Sequence, residues 1–191
     1  WKGVFILASR ISWKKQYPAA LWMSIPSLPG IYAFYRVMAD LTGAGGLVPL
    51  IAWILGGCIF CAVLFAMNLG HWYLNVHGLP LAHLKRAVNV FGVSLALRLL
   101  WDAWFLATGK VFYGGELIPR ARFITKLDGF LLLIALAFGL FFPLVSLYFV
   151  HGTLKLKNTQ STTGILYVIL CAVLIGDLTY KYYFIRFGVY L

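Results

Sequence analysis

The chain is 191 residues long, 62% hydrophobic and 11% charged, with a mean hydropathy of +0.89 and a net charge of +11. Soluble domains are usually about 45–50% apolar and about 25% charged, so this composition excludes an ordinary water-surrounded core and fits a chain partly solvated by hydrocarbon. The basic balance does not point to nucleic acid, because the Lys and Arg residues sit mostly in short loops between apolar runs, where they fix orientation and meet membrane lipid headgroups.

The sequence predicts one all-α transmembrane domain over residues 1–191, a bundle of about five helices. The chain opens on Trp1 rather than Met, which reads as processing, trimming or part of a longer protein. Residues 1–17 carry the four cations Lys2, Arg10, Lys14 and Lys15 and no long apolar core, so they fail the signal-peptide pattern and read as an interfacial segment. The first apolar run, about 19–38, contains Pro26 and Pro29 with Pro18 just before it, and prolines three apart predict a bent or broken helix. The second run spans about 47–69, the third about 84–107, the fourth about 129–150 and the fifth about 164–189. Each of these four is long enough to cross about 30 Å of hydrocarbon. The longest connection, Gly109 to Asp128, holds Gly114-Gly115 and the cations Lys110, Arg120, Arg122 and Lys126.

If all five runs span, their ends alternate between two faces. The amino-terminal face takes Lys2, Arg10, Lys14, Lys15, Lys85, Arg86, Lys155 and Lys157. The other takes Arg36, Lys110, Arg120, Arg122, Lys126, Lys181 and Arg186. Eight cations against seven leave orientation undecided by the positive-inside rule.

Charges inside the spans are the informative residues, since one at the bilayer centre costs at least about 2.5–3.5 kcal/mol and normally faces a partner or a cavity. Arg98 and Asp102 lie in the third run, and Asp177 and Lys181 in the fifth; each pair is spaced i, i+4 and can close on one helix face. Arg98 and Asp177 both fall roughly 21 Å from the amino-terminal face at 1.5 Å per residue, which puts all four charges in one layer. Two readings are open: an ion-pair network that fixes helix register, or a polar pocket for a quinone or a proton path.

His71, His77, His83 and His151 all map to the amino-terminal face. His71 and His151 are the obvious pair for axial ligation of haem b, but both lie at helix ends, where histidines beside Trp72 and Tyr73 also fit an aromatic belt or a quinone-facing relay. Cys58 and Cys61 form a C-x-x-C inside an apolar run, where small packing residues are expected; no second pair completes a zinc site, and no metal is expected. No Gly-rich phosphate loop, H-E-x-x-H or G-x-S-x-G is present, and no catalytic residue is assigned.

The stretch TGILYVILCAVLIGDLTYKYYFIRFGV, residues 163–189, is similar to the last helix of membrane anchor subunits of the dimethyl sulfoxide reductase and polysulfide reductase families. Gly176-Asp177 and Lys181-Tyr182-Tyr183-Phe184 fill the places of the Gly-acid step and the basic aromatic stretch. The resemblance covers under thirty residues, and such anchors have about eight or more helices. It implies a quinone-interacting anchor of a multi-subunit respiratory complex in a prokaryotic cytoplasmic membrane. It also implies menaquinone or ubiquinone as the cofactor and an iron–sulfur subunit among the partners. A haem b electron-transfer subunit and a non-catalytic assembly subunit are the alternatives.

Overall fold

A computed structural model describes residues 27–42, 46–76 and 78–190. The described residues fall into two units divided between Leu47 and Val48. The expected interfacial segment 1–17, the first part of the first run with Pro26, and His77 lie outside the described residues.

In the first unit, α1 (Ser27–Thr42) is an uninterrupted helix. Pro29 sits in its first turn, where a missing N–H leaves no intrahelical bond unmade. The Tyr35 hydroxyl accepts a hydrogen bond from the Gly46 amide at 3.2 Å.

The second unit is built from α2 (Leu47–Asn75), α3 (Ala82–Ala107), a hairpin of β1 (Lys110–Tyr113) and β2 (Glu116–Pro119), the single turn α4 (Arg120–Phe123), then α5 (Leu127–Leu136), α6 (Phe142–Lys155) and α7 (Thr159–Phe187). A π turn, Ala137–Phe141, joins α5 to α6 into one continuous rod. Among the described residues four helices are long and apolar enough to cross a membrane: Leu47–Asn75, Ala82–Ala107, Gly129–Lys155 and Thr159–Phe187. The protein is therefore a helical integral membrane protein.

The links from α2 to α3 and from α6 to α7 are short, so those neighbours run antiparallel. Asn158 caps the start of α7, its side chain accepting the Ser161 amide at 3.0 Å. At the far end Gly188 adopts φ 63°, and the Val189 amide returns to the Tyr183 carbonyl at 3.4 Å, closing the helix with a left-handed turn. The chain then folds back on α3, where the Trp101 indole donates to the Tyr190 carbonyl at 2.9 Å.

Between α3 and α5 the structure adds a feature that an all-helical reading omits. Lys110 pairs with Pro119 and Tyr113 with Glu116 across an antiparallel hairpin. Its turn is Gly114-Gly115, at φ 62° and 88°, the double positive φ that a two-residue hairpin turn demands. Arg120 locks this region to the end of α3: its guanidinium donates to the Phe105 and Thr108 carbonyls at 3.2 and 2.7 Å and lies 3.7 Å over the Phe105 ring. A side chain at Gly109 would collide with that guanidinium, 2.9 Å from the position of its Cβ. Burial lowers the Arg120 pKa from its ordinary value, and the Tyr190 phenol opposes the shift.

The π turn has a local cause and a packing consequence. Pro143 offers no N–H to Gly139, and the Phe142 amide bonds to the Ala137 carbonyl five residues back. The widened turn brings Gly139 against Gly176 of α7, so close that a Cβ on Gly139 would sit 3.2 Å from the Gly176 Cα and 2.7 Å from the Tyr180 ring. Small residues at a helix crossing let backbones approach and gain packing contacts that lipid cannot supply. Fully buried Phe91, Leu95, Leu140, Leu166 and Ile169 fill the centre of the bundle. A second apolar cluster, with Phe105, Val111, Phe123, Leu132 and Tyr183, sits beneath the hairpin.

Candidate functional site

The amino half of α2, the carboxyl half of α3 and the carboxyl half of α7 converge at the hairpin end. Arg98 and Asp102 sit roughly 14 and 8 Å from the end of α3, and Asp177 and Lys181 roughly 15 and 9 Å from the end of α7, at 1.5 Å per residue. The four charges therefore occupy one layer.

Within it both i, i+4 pairs close. Arg98 Nε lies 3.0 Å from Asp102 Oδ1, with the two side chains 3% and 2% exposed. Lys181 pairs with Asp177 Oδ2, with exposures of 44% and 19%. Among the described residues these are the two ion pairs, and neither crosses between helices.

The interhelical links are made by neutral partners. Arg98 Nη1 donates to the Ala52 carbonyl on α2 at 2.8 Å. The Tyr180 hydroxyl on α7 donates to Asp102 Oδ2 at 3.2 Å, and the Arg98 guanidinium lies 4.5 Å from the Tyr180 ring centre. Gly56 makes the approach to α2 possible: a Cβ there would stand 3.2 Å from Asp177 Oδ1 and 3.3 Å from Arg98 Nη1. The Trp53 and Phe184 rings meet edge to face at 4.8 Å and join α2 to α7 beside the layer.

The arrangement has two halves. Arg98, Asp102 and Tyr180 form a buried, mutually paired core that ties three helices together. Asp177 and Lys181 form a partly exposed rim, the carboxylate 19% and the ammonium-bearing side chain 44% exposed. Tyr180, Gly56 and the Ala52 carbonyl are the members that the sequence does not single out; a signal for Tyr180 was its place beside Lys181, one turn from Asp177.

The histidines lie at the opposite end. His71 is exposed on the last turns of α2, and His83 is exposed on the first turn of α3. His151 on α6 holds the Leu147 carbonyl through Nδ1 at 2.9 Å and Asn89 Oδ1 through Nε2 at 3.2 Å. Cys58, Cys61 and Cys171 are free and exposed on the spans. Among the described residues no three His, Cys, Asp or Glu side chains converge as a metal-ligand group.

No protein-family model, curated protein or solved structure matches this chain.

Proposed function

We propose that the chain is a quinone-reactive membrane subunit of a respiratory redox complex in a prokaryotic cytoplasmic membrane, with Asp177 and Lys181 at the reactive edge. The observation that carries this reading is the unequal exposure within one charged layer. Arg98 and Asp102 are sealed at 3% and 2% exposure, whereas Asp177 and Lys181 in the same layer keep 19% and 44% and are open to a lipid-soluble carrier. An intramembrane acid–base pair left accessible is costly unless it is used.

Lys181 supplies an ammonium donor for a quinone carbonyl oxygen. Asp177, one turn away, supplies an acceptor for the proton a quinol hydroxyl releases on oxidation. Gly56 lets the Asp177 carboxylate and the Arg98 guanidinium both approach α2, so Arg98 lends positive charge from behind. Menaquinone or ubiquinone would be the lipid-soluble carrier and an iron–sulfur subunit the electron acceptor, with the two protons of each quinol passing one after the other through Asp177 to water. The resemblance at residues 163–189 supports the same reading.

Asp177→Asn, expressed in the native membrane, tests it. Retained partner subunits with quinol oxidation lost supports the reading; normal turnover sinks it.

A second reading has its own observation. The Arg98–Asp102–Tyr180 core is internally paired and bonds the α2 backbone, which suits a non-catalytic assembly subunit whose polar groups set helix register. In that case Asp177→Asn lowers complex assembly and turnover together.

A further inference from the structure

At the histidine end, α2 and α3 part to leave a groove of about 500 Å³. Its walls are Ala62, Phe65 and Leu69 from α2 and Ala87 and Val90 from α3, and His83 and Arg86 stand at its mouth. Arg86 lies roughly 6 Å from the start of α3 and Ala62 roughly 20 Å from the end of α2, so the groove runs roughly 14 Å below its cation, about the depth of one leaflet.

Among the described residues of the second unit, the charge at this end is one-sided. Lys85, Arg86, Lys155 and Lys157 lie at this end of the unit. The five acids of the chain are Asp40, Asp102, Glu116, Asp128 and Asp177. The four acids of the second unit, Asp102, Glu116, Asp128 and Asp177, lie in or beyond the opposite half of the bundle. Arg86 is exposed, and among the described residues no carboxylate pairs with it.

We propose that this groove is a binding site for an anionic glycerophospholipid, with one acyl chain along Phe65, Leu69 and Val90 and its phosphate at Arg86 and His83. The match is one of charge and of shape. An apolar slot with an exposed guanidinium beside its interfacial end suits a chain that ends in a phosphate. A partner helix fits less well, because a 15 Å length of helix about 10 Å across fills roughly 1,200 Å³. The inference does not depend on redox chemistry, since the groove lies at the end of the bundle opposite the charged layer.

The test uses the full chain reconstituted in bilayers of phosphatidylglycerol and phosphatidylcholine in equal amounts with matched acyl chains, then extracted in mild detergent. Retained lipid is counted by native mass spectrometry. Phosphatidylglycerol is expected to be retained over phosphatidylcholine. Arg86→Gln should cut that preference about fivefold, the share one interfacial cation contributes to anionic-lipid attraction. Ala62→Phe fills the slot and should reduce retention of both lipids, while Lys157→Gln, at the same end but outside the groove, leaves the preference in place. Equal retention of the two lipids overturns the proposal. So does a preference that Arg86→Gln and Ala62→Phe leave unchanged, or a groove found occupied by a partner's helix on cross-linking.

Discussion

Arg98 and Asp177 approach the same glycine of α2, Gly56, from two different helices, yet each keeps its opposite charge on its own helix. The consequence is a division of labour that mutation can expose. Arg98→Gln leaves Asp102 buried without its cation, a defect that usually costs about 3–5 kcal/mol. The variant should lose its monodisperse peak in detergent and unfold at lower temperature. Asp177→Asn leaves Lys181 half-exposed and able to meet water or headgroups, so its thermal midpoint should stay near wild type. Equal destabilisation by the two changes would contradict the sealed-core and open-rim arrangement.

Tyr180→Phe removes the hydroxyl that donates to Asp102 but keeps the ring beneath Arg98. A buried acceptor left short of one donor costs about 1–3 kcal/mol. A moderate fall in thermal stability is expected, smaller than that of Arg98→Gln, and an unchanged melting curve would show that the hydrogen bond contributes nothing.

The Gly139–Gly176 crossing should tolerate no added carbon. Gly176→Ala places a methyl group against the Gly139 backbone rather than against a flexible side chain, so the helices must separate. Overpacking of this kind typically costs about 1–3 kcal/mol. Gly164→Ala on the same helix meets open space and serves as the control. Melting curves of the two variants should differ, and matching curves would show that the crossing is loose.

Arg120→Ala should loosen the end of α3 and the hairpin together, because one guanidinium serves both. Hydrogen–deuterium exchange is expected to rise at Thr108 and across residues 110–119 and to remain unchanged in the centre of α7. A rise confined to residue 120 would contradict the capping role.

Topology gives the simplest check. Single cysteines replacing His71, His83 and His151, in a background without Cys58, Cys61 and Cys171, should react with a membrane-impermeant maleimide from one side. A cysteine replacing Glu116 in the hairpin should react from the other. Labelling of His71 and His151 positions from opposite sides would break the antiparallel order of the bundle.

Much of this architecture is legible in the residue order, for physical reasons. Runs of about twenty apolar residues mark the four described spans, because hydrocarbon tolerates little else. The two i, i+4 charge pairs follow from helical periodicity alone. What a charge meets across helices does not, since it depends on how α3 and α7 are rotated about their axes; Arg98 turns to a backbone carbonyl and Tyr180 takes the place that Asp177 could have held. Tyr180 is hidden among Tyr182, Tyr183 and Phe184, where a phenol looks like one more ring of an interfacial belt. The hairpin had a local signal, Gly114-Gly115 between two short β-prone segments, masked by the cations around it. The π turn had another in Pro143, whose missing donor falls inside an otherwise unbroken apolar run. α2 extends past Leu69 to Asn75, because His71, Trp72 and Tyr73 lower the hydropathy without breaking the helix.

The hairpin also bears on how the molecule rides in the bilayer. Phe112 and Leu117 stand opposite each other across the strands and are 68% and 65% exposed, while Val111 on the other face is buried. An outward apolar pair on a hairpin that also carries Lys110 suits the water–lipid boundary, with rings and methyls toward lipid and the cation toward water. It acts as a float that fixes the waterline at one end of the bundle. A membrane that thickens or thins would then be accommodated at the other end, where the exposed Trp72 and Tyr148 rings can shift among the headgroups.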